Sequence, residues 1–147
     1  LLTKYNFCKD VNEQMIKKEE NIRTTLNEKA KKLEGEMREF ERKIQNNGFA
    51  TRERAEQEQA RLLKQQQELQ QLQQKLAEEL AMENQKNNLE MRDSINSFLK
   101  VYNQTKGYDL IISNAGLDNL LYANPAFNIT NEIVEGLNAR YNPSIKK

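Results

Sequence analysis

Apolar residues recur at helical spacing from about Tyr5 to Gln45, at Val11, Met15, Ile22, Leu26, Leu33, Met37, Phe40 and Ile44. Val11, Ile22, Leu33 and Ile44 stand eleven apart, as do Met15, Leu26 and Met37. A second run, from about Arg52 to Thr105, carries Leu62, Leu69, Leu72, Leu76, Leu80, Met91, Ile95, Phe98 and Tyr102, with Leu69, Leu80, Met91 and Tyr102 again eleven apart. An eleven-residue repeat gives about 3.67 residues per turn, so the stripe stays nearly straight or drifts weakly right-handed. The stripe is narrow and polar residues fill the rest, which suits one partner helix rather than a broad core. Between the runs, Asn47 and Gly48 tolerate the left-handed conformation of a helix end. Thr51 can cap the next helix, and Glu53 suits its positive N-terminus. The pattern predicts an antiparallel hairpin with helices at about 5–45 and 52–105 and a tip at 46–51. At about 1.5 Å per residue, a forty-residue arm would reach about 60 Å.

The pattern changes after Lys106-Gly107. Residues 108–113 (Tyr108 to Ser113) and 120–123 (Leu120 to Ala123) read as short strands flanking a turn-rich segment, and Asn124-Pro125 reads as a turn. Thr130 is placed to cap a closing helix over about 131–139, with Ile133, Val134 and Leu137 on its apolar side. The expected class is α+β, predominantly α, with a hairpin arm at 1–107 and a small β-containing body at 108–147. Two short strands and one helix are marginal alone in water. Tyr5, Phe7, Phe98, Tyr102, Tyr108, Tyr122, Phe127 and Tyr141 gather at this end, so the body is expected to complete itself by pairing with copies of itself.

Composition narrows the function. Of 147 residues, 31% are charged and 37% hydrophobic, and the net charge is +1. Mean hydropathy is −0.95. Disorder usually accompanies a large net charge, so a thin coiled coil fits better. With no His and a single Cys, a Cys/His zinc site, a catalytic His and an intrachain disulfide are all excluded. A pI near 8.0 is far from a nucleic-acid binder's. No apolar run approaches membrane-spanning length. The sequence starts at Leu1 with no signal peptide, as expected of a processed or trimmed protein.

The C-terminal stretch carries a resemblance. Tyr108-Asp109-Leu110-Ile111-Ile112 is followed by a Gly-containing turn. Then come Leu121-Tyr122-Ala123-Asn124-Pro125-Ala126 and Asn128-Ile129-Thr130-Asn131-Glu132-Ile133-Val134. These segments resemble the Skp/OmpH family of periplasmic chaperones, whose pattern is a YDLV-type strand followed by a VLYA-(D/N)P stretch and an I-T-(D/N)-E-V helix start. The resemblance covers nearly the whole chain. It implies a homotrimer whose three arms leave a shared β-barrel-like body and enclose unfolded outer-membrane β-barrel proteins, without ATP or any cofactor. It implies a body built around Tyr108, Leu110, Ile112, Leu121, Tyr122 and Ile133, and a periplasmic location. Family members carry an N-terminal strand before the first helix, and the sequence begins where that strand would end. The best-known members are also strongly basic, unlike this protein.

Other residues leave alternatives open. At the tip, Arg38, Arg42, Lys43, Arg52 and Arg54 outnumber Glu39, Glu41 and Glu53. Such a patch suits weak contact with anionic lipid or acidic client segments, or is a solvated end with ordinary ion pairs. Phe49 either packs back on the last turn or meets a client. Met37, Phe40 and Met82 either contact clients or fill the seam. Gly35, inside a helix, costs about 1 kcal/mol against Ala. It either softens the arm or is neutral. The polar run Asn84 to Asn88 is a joint or a weak stretch of ordinary helix. Cys8 is expected to be a buried structural thiol. The alternative to a holding chaperone is a coiled-coil scaffold or spacer for a fixed partner. Such a scaffold has no need of the C-terminal module. Nothing in the sequence pairs a nucleophile with a base or forms a phosphate loop, so no enzyme is expected.

Overall fold

The structure, a computed structural model, describes residues 1–114 and 120–142. Its elements are α1 (Asn6–Gln45), α2 (Arg52–Lys106), a 3₁₀ turn (Pro125–Phe127) and α3 (Thr130–Arg140). Contacts divide the protein into two compact units, residues 1–14 with 85–147 and residues 15–84. In α2 the division falls inside the polar run Asn84 to Asn88.

The unit of residues 15–84 is a helix pair with a narrow seam. Leu62 alone among its described residues is buried, at 5% exposure. On α2, Ala55, Glu58, Leu62, Gln65, Leu69, Leu72 and Leu76 step by three and four residues, and none of them is fully exposed. On α1 the seam runs through Ile22, Leu26, Leu33, Glu36 and Phe40. The eleven-residue stripe therefore holds through Leu33 and fails beyond it. Met37 and Ile44 are 38% and 48% exposed, and Glu36 takes the seam position. A polar layer is the cause: Arg61 donates to Glu36 at 2.8 Å across the pair and to Glu58 at 2.6 Å along its own helix. Lys18 and Glu83 form a second ion pair between the helices. The eleven-residue period also appears in exposed ion pairs on α2. Lys64–Glu68, Lys75–Glu79 and Lys86–Glu90 repeat at that spacing, at 3.8, 3.9 and 3.7 Å. Exposed pairs of this kind contribute little to stability.

The turn between the helices is fixed locally. Asn47 takes φ 48°. The Gly48 N–H donates to the Lys43 carbonyl at 2.7 Å and the Asn47 N–H to that of Ile44 at 3.4 Å. This is a Schellman closure, with asparagine in the left-handed position usually held by glycine. The Thr51 hydroxyl then accepts the Arg54 N–H at 3.2 Å, capping α2.

The other unit holds the larger core. Tyr5, Phe7, Ile133 and Leu137 are buried, with Val11, Met91, Ile95, Phe98, Tyr102 and Tyr141 packed against them. The side chains of α3 supply Ile133, Val134 and Leu137, each at 7% exposure or less. Burying a side chain of this size contributes about 1.5–3 kcal/mol. Phe98 approaches α3 at Gly136, where a Cβ would lie 2.2 Å from Cζ. The Cys8 thiol lies 3.0 Å from the Met91 sulfur and is half-buried, and burial raises its pKa.

Polar clamps ring this core. The Asn6 N–H, at the start of α1, is accepted by Asn138 Oδ1 of α3 at 2.8 Å, and Asn138 Nδ2 donates to the Lys4 carbonyl at 3.1 Å. Tyr5 and Ser94 share a hydroxyl bond of 2.8 Å, and the Tyr141 hydroxyl donates to Asp10 at 2.8 Å. The Tyr102 hydroxyl donates to Glu132, which also pairs with Lys106 at 3.1 Å.

Two expectations need correction. Thr130 does not cap α3 through its side chain: the helix begins at Thr130 itself, and Asn128 Oδ1 accepts the Thr130 N–H at 3.0 Å. The expected strands at 108–113 and 120–123 do not form, and no strand occurs among the described residues. A strand requires an edge to pair with. At the first segment's start that role falls to a side chain: Asn103 accepts the Tyr108 N–H and donates to its carbonyl, both at 2.8 Å. Gly107, at φ 68°, makes the reversal that brings Tyr108 back to Asn103. The turn expected between the strands lies partly outside the described residues.

Candidate functional site

Two places hold the candidate residues. The first is the turn end of the helix pair. Phe49 packs back on the last turn of α1, its ring centroid 5.5 Å from that of Phe40 and 5.9 Å from Lys43 Nζ. The basic residues are mostly engaged. Arg42 grips Glu39 through two bonds, of 2.9 and 2.6 Å, and this holds the Glu39 carboxyl below its ordinary range. Arg52 pairs with Glu56 at 2.9 Å and Arg38 with Glu34 at 2.7 Å. Arg54 forms no ion pair among the described residues, and its backbone N–H is the one that Thr51 caps. Gly35 lies on the exposed face of α1, with nothing within 4 Å of where a Cβ would stand. Met82 is 70% exposed and therefore outside the seam.

The second place lies on either side of residues 115–119, at 108–114 and 120–127. Six large apolar side chains there are open, Tyr108 39%, Leu110 78%, Ile112 62%, Leu121 94%, Tyr122 81% and Phe127 79%, whereas Ile111 and Leu120 are half-buried. Ile133, which the sequence groups with them, instead lies in the protein's own core at 3%. Together the six exposed side chains form an open apolar surface on the single copy. Phe127 belongs with this group. Its position in the turn between Asn124 and Asn128 leaves it no core to enter, and the Pro-Ala-Phe sequence signals that turn.

Sequence reasoning missed several positioning residues. Asn103 and Asn138 each bond backbone with both ends of the side-chain amide, and Gly136 admits Phe98. The mixed-charge layer of Glu36, Glu58 and Arg61 has a sequence signal, the three-residue step from Glu58 to Arg61. The Asn138 bonds span more than 130 residues and have none. No group of three acidic or sulfur ligands suited to a metal occurs among the described residues. No described helix is long and apolar enough to cross a membrane.

A search of curated proteins gives no match. The family model described as outer membrane protein (OmpH-like) matches residues 1–137. Its span takes in α1, α2, the exposed apolar side chains and the part of α3 from Thr130 to Leu137. The protein belongs to the OmpH-like family, the Skp/OmpH family its C-terminal motifs resemble.

Proposed function

We propose that the protein is an ATP-independent holding chaperone acting as a homotrimer in the periplasm. It sequesters unfolded outer-membrane β-barrel proteins between three helical arms and prevents their aggregation. Membership of a family of non-enzymatic outer-membrane-protein chaperones supports this reading. The observation that carries it is the set of exposed apolar side chains Tyr108, Leu110, Ile112, Leu121, Tyr122 and Phe127. A monomer has no use for so much open apolar surface, whereas a three-fold body buries it. In this assembly residues 15–84 form the arm and residues 1–14 with 85–147 the body, and residues 108–113 and 120–123 find strand partners in neighbouring copies.

The helix pair suits weak holding. Its surface mixes ion-paired charges with single exposed apolar residues such as Met37, Leu63 and Met82. Many weak contacts retain an unfolded polypeptide, and no single one prevents release. Phe49, Arg42, Lys43, Arg52 and Arg54 are proposed to meet clients or anionic lipid heads at the arm ends, and Gly35 to soften the arm.

The test joins two measurements. Solution mass is expected at three times the monomer mass. The trimer is expected to keep a urea-diluted outer-membrane barrel soluble at substoichiometric amounts. A folded monomer, or no protection at any ratio, overturns the proposal. A trimer that protects nothing points instead to a scaffold.

A further inference from the structure

Asn47 is the sole asparagine in the sequence followed by glycine. In such a pair the glycine's backbone nitrogen can approach Cγ of the asparagine amide, because no second side chain stands in the way. Both residues are exposed, in the turn between α1 and α2. The closed turn works against the reaction. The attacking nitrogen must lose its proton, and here the Gly48 N–H is committed to the Lys43 carbonyl at 2.7 Å. Asn47 is itself held at φ 48° by the bond from its own N–H to Ile44. Phe49, packed against Phe40 with the rings tilted by 56°, anchors the backbone on the far side.

We propose that Asn47 is a self-modification site whose rate is set by opening of the Schellman turn. When the turn opens, the Gly48 nitrogen forms a bond to Asn47 Cγ, the bond from Cγ to Nδ2 breaks, and ammonia leaves with the proton. Water then opens the resulting five-membered imide at either carbonyl, giving an aspartyl or an isoaspartyl linkage. No oxidant, reductant or enzyme is needed. The isoaspartyl product carries an extra methylene in the backbone and cannot restore the two closing bonds. Either product also puts a carboxylate at the negative end of α1's dipole. The departure of ammonia makes conversion one-way, and the isoaspartyl product loosens the arm end, whatever that end contacts.

The test uses the full-length protein, incubated in mildly alkaline buffer and, separately, in urea. Conversion at position 47 is then counted by peptide mass spectrometry, with isoaspartyl resolved from aspartyl. Conversion in urea is expected to exceed that in buffer by about tenfold, the effect of one backbone hydrogen bond plus local packing on turn opening. Phe49→Ser leaves the reacting pair intact and removes the anchor. It is expected to raise conversion in buffer by about threefold and leave conversion in urea unchanged. No conversion at position 47 in urea overturns the site. Equal rates in buffer and urea, or a Phe49→Ser rate in buffer equal to that of the parent protein, overturns the gate.

Discussion

At the scale of single residues, two helical glycines sit in opposite surroundings. Alanine gains about 1 kcal/mol over glycine in a helix interior. At Gly35 nothing within 4 Å opposes the added methyl, so Gly35→Ala is expected to raise the thermal midpoint. At Gly136 the methyl would meet Phe98 at 2.2 and 2.8 Å. Overpacking of about 1–3 kcal/mol then outweighs the propensity, and Gly136→Ala is expected to lower the midpoint, both effects read by circular dichroism. Tyr141 gives a prediction in pH. Burial, and then its bond to Asp10, pushes the hydroxyl up from 10.0 to about 12. The unfolded state thus loses this proton first as the solution becomes alkaline. The stabilisation is complete below pH 10 and disappears as pH rises toward 12. Tyr141→Phe is expected to flatten that part of the stability profile measured by denaturant titration. An unchanged slope would show that the Tyr141 hydroxyl is neither buried nor bonded to Asp10 in solution.

At the scale of elements, what the sequence reveals depends on the range of the interaction. The left-handed Asn47 and the Thr51 cap act within a few residues and are legible from residue type alone. The start of α1 is different, because its cap comes from α3. Asn138→Ala removes two bonds to α1's entry and is expected to cost about 1–2 kcal/mol. Hydrogen exchange at Asn6 should accelerate while exchange at the turn end of the helices stays the same; uniform acceleration would mean that the clamp is not local. The seam shows a second limit. Periodicity places Met37 and Ile44 inside, but it does not register that Arg61 draws Glu36 into the same position. Residues 108–113 show a third limit. Aromatic and β-branched content reports suitability for a sheet, whereas pairing depends on an available edge, and no strand edge occurs among the described residues.

For the whole molecule, the exposed Leu110 and Leu121 give a direct test of the proposed assembly. Leu110→Asp with Leu121→Asp changes side chains that are 78% and 94% exposed, so the fold of the single copy should tolerate both. Each apolar side chain buried between copies contributes about 1.5–3 kcal/mol, and a carboxylate in its place adds a desolvation cost. The expected result is a lower solution mass with unchanged helical content. An unchanged mass would place the contact between copies elsewhere. The Asn138 clamp has a further consequence for biogenesis. It joins Lys4 and Asn6 to a residue more than 130 positions later, and Tyr5 and Phe7 likewise await Ile133 and Leu137. The helix pair can zip up during synthesis while residues 4–7 still lack their partners. This core therefore closes only after α3 has been made, however early the two long helices form.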